Sequence, residues 1–279
     1  SRSLGIVGIP PTMARMENFQ SNIQIFMNEH SKKPKLIYKY VRINCDTKNA
    51  LKESYLWFSY PKSLNDPFDL KWQFTDRWRK ELLDSFKFSN ESHSAIFNKM
   101  KNDNQFIEYF QQLIVDNIGI TVCCFTEKDD DILMWSHYAC NHTGACLMYN
   151  LENMPNLFER LRKVKYSNDY PVADNMEKEV SERCISTKSP HWAYEQEWRL
   201  LAQEGGKCLI KKESLKGIIF GCKTSAEHIN ELIKICGDAG YTNLEFYSMH
   251  ENPSEYKLDK KRLRIMKPPL TRRFFTQKG

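Results

Sequence analysis

Residues 191–201 read HWAYEQEWRLL, and the interpretation of this stretch decides the fold. Aromatic alternation running into Leu200 and Leu201 predicts a β-strand over 192–201. Side chains alternate across a strand, so Glu195, Glu197 and Arg199 share one face while Tyr194, Trp198 and Leu200 share the other. Two carboxylates at that spacing stand about 7 Å apart. Paired carboxylates suit acid–base and electrostatic chemistry, although in glycosidases they come from separate elements. An ordinary solvated Glu–Arg face is the alternative.

Strands recur on both sides of this stretch. LIYKYVRI (36–43), YLWFSYP (55–61), ITVCCFTE (120–127), GACLMYNL (144–151), RKVKYS (162–167), LKGIIFG (215–221), NLEFYSMH (243–250) and YKLDKKRLRI (256–265) are short and rich in β-branched and aromatic residues. Helical spacing marks a segment after Thr12, a short helix over 47–53, most of 70–118, a helix through 175–187, and SAEHINELIKICGDAG (225–240). DILMWSHYA (131–139) opens as a helix or turn after the acidic run EKDDD (127–131). The order lacks the regular strand–helix alternation of a doubly wound sheet. It predicts one α+β domain over 35–250 with a helical insertion at about 70–118, preceded by a helical extension (1–34) and followed by a basic strand and tail (251–279).

The chain has 279 residues with 41% hydrophobic, 13% aromatic and 27% charged, which excludes wholesale disorder and fibrous repeats. No run approaches the roughly 18 apolar residues of a spanning helix. The first residues, SRSLGIVG, have no secretory-signal pattern. Nine cysteines, odd in number and without compact CxxC pairs, fit a reduced cytoplasm better than a disulfide scaffold. The net charge of +6 is concentrated from Lys257 onward, where nine Lys or Arg face one acid, Asp259. Lys260, Lys261, Arg262, Arg264, Arg272 and Arg273, interleaved with Phe274 and Phe275, could follow a nucleic-acid backbone. A solvated terminal strand is the alternative.

Three further stretches carry polar groups in apolar surroundings. On the strand Tyr38-Lys39-Tyr40-Val41-Arg42, the residues Tyr38, Tyr40 and Arg42 share a face, and two rings with a guanidinium suit a base and a pyrophosphate. In FSYPKSLNDPFD (58–69), Asn65 and Asp66 either bind a ribose or build an Asx turn before Pro67. In MWSHYACNHTG (134–144), His137 and His142 either bind a phosphate or orient substrate, or are structural beneath Trp135. A zinc set of His137, Cys140, His142 and Cys123 or Cys124 matches none of the usual ligand spacings, so no metal is expected.

FSxPxxxNDPFD, CCFxxxxxDxxMWSHYAxNHxG and Lys188-x3-Trp192-x-Tyr194-Glu195-x-Glu197-Trp198-Arg199 together resemble the bacterial domain-of-unknown-function 2971 family over about residues 36–222. The first strand departs from that family's usual YKYR by placing Arg42 one residue later. That name implies no activity. The order of a Tyr- and Arg-bearing early strand, a Ser-bearing strand and a late Glu-x-Glu strand resembles the ADP-ribosyltransferase superfamily. This second resemblance implies a split, mixed sheet that clamps NAD as substrate. It implies Arg42 on phosphate or ribose, Tyr38 or Tyr40 stacking, and Ser59 in support. Glu197 would bond the nicotinamide-ribose 2′-hydroxyl, and Glu195 would orient the acceptor.

The expectation is therefore an NAD-consuming transferase, a toxin or antiphage effector by class, that modifies nucleic acid or protein, with an antitoxin as a further expected partner. Two alternatives stay open. One is a metal-independent nucleic-acid hydrolase using His137, His142 and the two glutamates. The other is a non-catalytic nucleotide- or RNA-sensing module.

Overall fold

The computed structural model describes residues 33–85, 95, 120–174, 183–202 and 204–264. The expected N-terminal helix, most of the 70–118 insertion, and Arg272 and Arg273 lie outside these residues. In chain order the elements are β1 (Leu36–Val41), α1 (Cys45–Glu53), β2 (Tyr55–Phe58), β3 (Gln73–Phe74), α2 (Asp76–Ser85), β4 (Thr121–Thr126), α3 (Ile132–Tyr138), β5 (Ala145–Asn150), β6 (Leu161–Lys163), β7 (Lys165–Tyr166), β8 (Val172–Ala173), β9 (Thr187–Lys188), β10 (Glu197–Ala202), β11 (Gly206–Leu209), β12 (Leu215–Phe220), α4 (Ala226–Asp238), β13 (Glu245–Glu251) and β14 (Leu258–Arg262). The fold is α+β.

One mixed sheet runs in the order β14-β13-β12-β5-β1-β4-β10-β6, with smaller ribbons β11-β2, β3-β8 and β7-β9 beside it. Within it only β12 and β13 are parallel; the other neighbours are antiparallel. β1 pairs with β5 along its whole length, from Leu36↔Asn150 to Val41↔Ala145, and β4 does the same with β10. Between β1 and β4 the ladder is a single register pair, Tyr38↔Thr126. Beyond it the two strands part, and β4 is bridged instead by Ser59↔Val122 at the end of β2. The Lys39 ammonium reaches across to the carbonyl of Cys124 at 3.1 Å, giving a polar partner to a strand carbonyl beside the parting.

Alternation in the strands gives the sheet two cores. On one face Ile37, Leu147, Phe125, Trp198, Leu200, Ile218 and Phe220 pack with Leu51 of α1 and Leu232 and Cys236 of α4. On the other, Tyr40, Cys146, Ile219 and Met249 pack with Met134 and Trp135 of α3. Three helix starts have a reason in the sequence. Asn44 caps α1 by accepting from the Thr47 amide, Asp131 caps α3 through the amides of Leu133 and Met134, and Ser225 caps α4 through that of His228.

The expected strand over 192–201 is corrected. Residues Pro190–Glu195 form a 3-10 turn, and the strand begins only at Glu197. Pro190 preorganises the turn, the Ser189 side chain accepts from the His191 amide, and Gln196 ends it in the left-handed region at φ 43°. A second correction falls at 175–187. Residues 183–185 are helical, but Thr187 already pairs with Lys165 as part of β9. A third falls at 70–75, where Gln73–Phe74 pair with β8 and the helix starts at Asp76.

Candidate functional site

α3 and the turn after it form a rigid unit built largely around Trp135. That side chain is fully buried, donates from its indole to the Asp129 carbonyl at 2.8 Å, and meets Tyr40 edge-on at 5.1 Å. Cys140, Asn141 and His142 then turn back in the left-handed region, at φ 50°, 53° and 70°. This lays His142 parallel to Trp135, with its Nε2 3.0 Å from Ser136 Oγ. Burial first, then Lys223, moves the His142 imidazole below its ordinary pKa. Two glycines permit this packing. A Cβ at Gly144 would stand 2.3 Å from the Val41 carbonyl oxygen, and one at Gly221 would stand 2.1 Å from that of His142. The motif's second histidine is thus held inside the scaffold, while His137 and Tyr138 face a cleft.

A buried ionic cluster forms one side of that cleft. Lys188, on β9, donates to Glu195 Oε2 at 2.6 Å and to Glu197 Oε2 at 3.0 Å. Arg199 donates through Nε to Glu197 Oε1 at 2.7 Å, through Nη2 to Glu197 Oε2 at 3.1 Å and to Asp69 Oδ2 at 2.8 Å, and through Nη1 to the Ile185 carbonyl at 2.9 Å. Tyr138 donates to Glu195 Oε1 at 2.5 Å and accepts from Asn65 Nδ2 at 3.2 Å. The Tyr166 hydroxyl accepts from the Glu197 amide at 3.0 Å. These carboxylates are about 4% exposed, so the solvated Glu–Arg face does not form.

The two glutamates are shifted in opposite directions. Burial opposes the charge of both. At Glu197 the Arg199 guanidinium, then Lys188 and the Cys124 thiol, outweigh burial and bring the carboxyl down to about 2. At Glu195 burial outweighs Lys188 and Tyr138, and its carboxyl sits above the usual range. Asp69 is likewise raised, by burial against Arg199. Burial alone would lower Lys188, but Glu197, Glu195 and Asp69 raise it above its ordinary value.

The cleft opens where β1 and β4 part and has a volume of about 570 Å³. It draws together Tyr38, Tyr40, Arg42, Ser59, Asn65, His137, Glu195 and Glu197, residues spread from β1 to β10. His142 and Asp66 are not in its lining. Asp66 instead accepts from the Phe68 amide at 2.8 Å, as an Asx turn. His137 Nδ1 lies 2.9 Å from the Tyr194 hydroxyl at the rim. Arg42 is exposed there, and its guanidinium has no ion-pair partner among the described residues. Trp57 and Trp192 complete the aromatic wall, the latter over the Lys188 ammonium at 5.0 Å.

Sequence reasoning missed Lys188, Tyr138 and Asp69 as members of the site. Their signal was only that each sits inside a quoted motif, at Lys188-x3-Trp192, SHYA and NDPFD. Among the described residues no group of three or more His, Cys, Asp or Glu is arranged to hold a metal. No described helix is long and apolar enough to cross a membrane. On the basic strand β14, Lys260 pairs with Asp129 and Arg262 with Glu245; these two, Lys261 and the following Arg264 are all exposed.

Residues 134–200 match the model of a family described as a protein of unknown function, DUF2971, and the chain resembles that family through this segment. The matched segment holds the Trp135 unit, Tyr138, Lys188, both glutamates and Arg199. β1 and the loop bearing Asn65 and Asp69 lie before it. No curated protein and no solved structure gives a significant match to the chain.

Proposed function

We propose that this cleft is the active site of an NAD-dependent, ADP-ribosyltransferase-like enzyme that moves a ribosyl group from a nicotinamide dinucleotide to an acceptor. The observation that carries the reading is the unequal pair Glu195 and Glu197, bridged by Lys188 beside an aromatic-walled cleft whose rim bears the exposed Arg42. Two carboxyl groups whose proton affinities are shifted in opposite directions suit a reaction that needs a fixed negative charge and a proton acceptor.

In this reading Tyr38 or Tyr40 stacks on the nicotinamide ring and Arg42 meets the diphosphate. The bond between C1′ and the ring nitrogen breaks with both electrons going to nicotinamide, which leaves neutral. The positive charge left on the ribose faces Glu197, which Arg199 and Lys188 keep ionised against burial in a poorly solvated site. The acceptor's O–H or N–H attacks C1′, and its proton passes to Glu195. A cleft of about 570 Å³ lies within the common range for small-molecule sites, roughly 300–1,000 Å³.

One observation favours a second reading, a nucleotide-binding module without turnover. Both oxygens of Glu197 already accept bonds from Arg199, and Oε2 from Lys188 as well. Hydrolysis by paired histidines is less favoured, because only His137 lines the cleft. Incubation of the protein with labelled NAD and cell extract separates the readings. Nicotinamide release with label appearing on a macromolecule is the expected result. NAD that binds but stays intact would establish the module instead.

A further inference from the structure

The groups that crowd Glu195 come from every element packed against it. They are Lys188 of β9, Tyr138 of α3, Glu197 at the start of β10, Tyr166 of β7 and Tyr194 of its own turn, with Arg199 and Asp69 one contact further away. Their cationic contacts are unevenly shared. Arg199 bonds both oxygens of Glu197 and one of Asp69, so Glu197 keeps a guanidinium whatever happens elsewhere. The cation that touches Glu195 is Lys188, at 2.6 Å, and the same ammonium touches Glu197 at 3.0 Å. Lys188 is also raised on its own short strand, whose pairing with β7 (Tyr166↔Lys188) fixes where that ammonium stands.

We propose that Lys188 is the positioning residue of this cleft: by bridging the two carboxylates it fixes their geometry and sets how readily Glu195, the carboxyl that Arg199 does not bond, takes up and releases the proton. The proposal rests on reading the cleft as catalytic and adds a regulator of its protonation. Removing the Lys188 charge leaves Glu197 ionised against Arg199 but takes the nearest counter-charge from Glu195, whose proton affinity then rises. In the transfer step the acceptor's proton goes to Glu195 as the C1′–acceptor bond forms, nicotinamide having left with the electron pair of its own bond, and Glu195 returns the proton to water. Tyr138, bonded both to Glu195 Oε1 and to the exposed Asn65, lies on the way from that carboxyl to the rim. Tyr138 itself is raised above the ordinary tyrosine range, by burial and then by Glu195, so it stays a neutral hydroxyl that donates to the carboxylate.

The test is a carbon-13 carboxyl NMR titration of the full chain, glutamate-labelled, in wild type, Lys188→Gln and Lys188→Arg, with Glu195→Gln identifying the signal. The Glu195 signal should titrate above the exposed glutamates in wild type. Its midpoint should rise by about one pH unit or more in Lys188→Gln, and Lys188→Arg should bring it back. The acid limb of NAD turnover should move with it, which a merely structural lysine would not cause. An unmoved midpoint in folded Lys188→Gln overturns the proposal, even if NAD is consumed. A moved midpoint with no NAD turnover in wild type upholds the control of Glu195 by Lys188 and removes the transferase reading. Should Lys188→Gln not fold, Lys188→Gln/Glu195→Gln must fold, because the unpaired charge is gone; if it does not, the coupling is absent and the proposal fails.

Discussion

Arg199 and Asp69, 130 residues apart in the chain, are joined by a 2.8 Å bond from the guanidinium Nη2 to Oδ2. It ties the loop that follows β2 to the inner end of β10, and the same loop presents Asn65 to Tyr138. The loop and β10 are therefore held by charge, while the α3 helix that carries Tyr138 is held by the packing of Trp135.

Glu197→Gln separates catalysis from binding. It keeps the side-chain shape and removes the charge, so the rate of NAD consumption should fall by about two to three orders of magnitude with the Michaelis constant little changed. The burial of the cluster adds a structural cost. Arg199 and Lys188 lose a counter-charge, and stability should drop by about 3 kcal/mol. Steady-state kinetics at a temperature where both forms are folded checks the first part, and urea unfolding checks the second. Unaltered turnover by folded Glu197→Gln would remove the transferase mechanism.

Acid unfolding should carry the signature of Glu197. Its folded pKa of about 2 lies below the ordinary 4.5, so the stability it contributes is complete above about pH 4.5 and is lost as pH falls toward 2. The difference amounts to about 3 kcal/mol at most. Glu195 and Asp69 are raised and act in the opposite sense, favouring the fold when protonated and less as pH rises through their folded pKa values. Urea midpoints between pH 2 and 5 should therefore fall more steeply in wild type than in Glu197→Gln. Parallel slopes would mean that Glu197 is not the ionised member of the pair.

Arg42→Met addresses the rim. The side chain is exposed without an ion-pair partner among the described residues, so the unfolding free energy should stay within the range of a neutral surface change, about 0.5 kcal/mol. Loss of a charged contact to phosphate should raise the Michaelis constant for NAD about tenfold or more. A variant that binds NAD as well as wild type does would place the diphosphate elsewhere.

Gly221→Ala probes the scaffold under the turn over 140–142 rather than the cleft. Its Cβ would meet the His142 carbonyl oxygen at 2.1 Å and the Trp135 ring at 3.1 Å, and the backbone oxygen cannot swing away as a side chain would. A destabilisation of about 3 kcal/mol is expected by thermal unfolding. Near-wild-type stability would show that the turn over 140–142 is free to shift.

The linear sequence determined the elements whose signals are local. ITVCCFTE and GACLMYNL are short apolar runs whose length and flanking Gly or acidic breaks suit a buried strand, and 225–240 carries a helical stripe behind a serine cap, so β4, β5 and α4 were legible in windows of about ten residues. The grouping of Tyr38, Tyr40 and Arg42 followed in the same way from strand alternation. Tertiary structure decided which of two histidines in one motif faces the cleft, because three left-handed residues and two glycines with room only for hydrogen press His142 onto Trp135. It also moved Glu195 off the strand, through Pro190 and the left-handed Gln196, yet brought it back to Glu197 through a lysine on another strand. Periodicity encodes which face a side chain takes within its own element. The charge that meets it there is set by how elements pack, from Lys188 seven residues before Glu195 to Asp69 130 residues before Arg199, and local propensity carries no record of either.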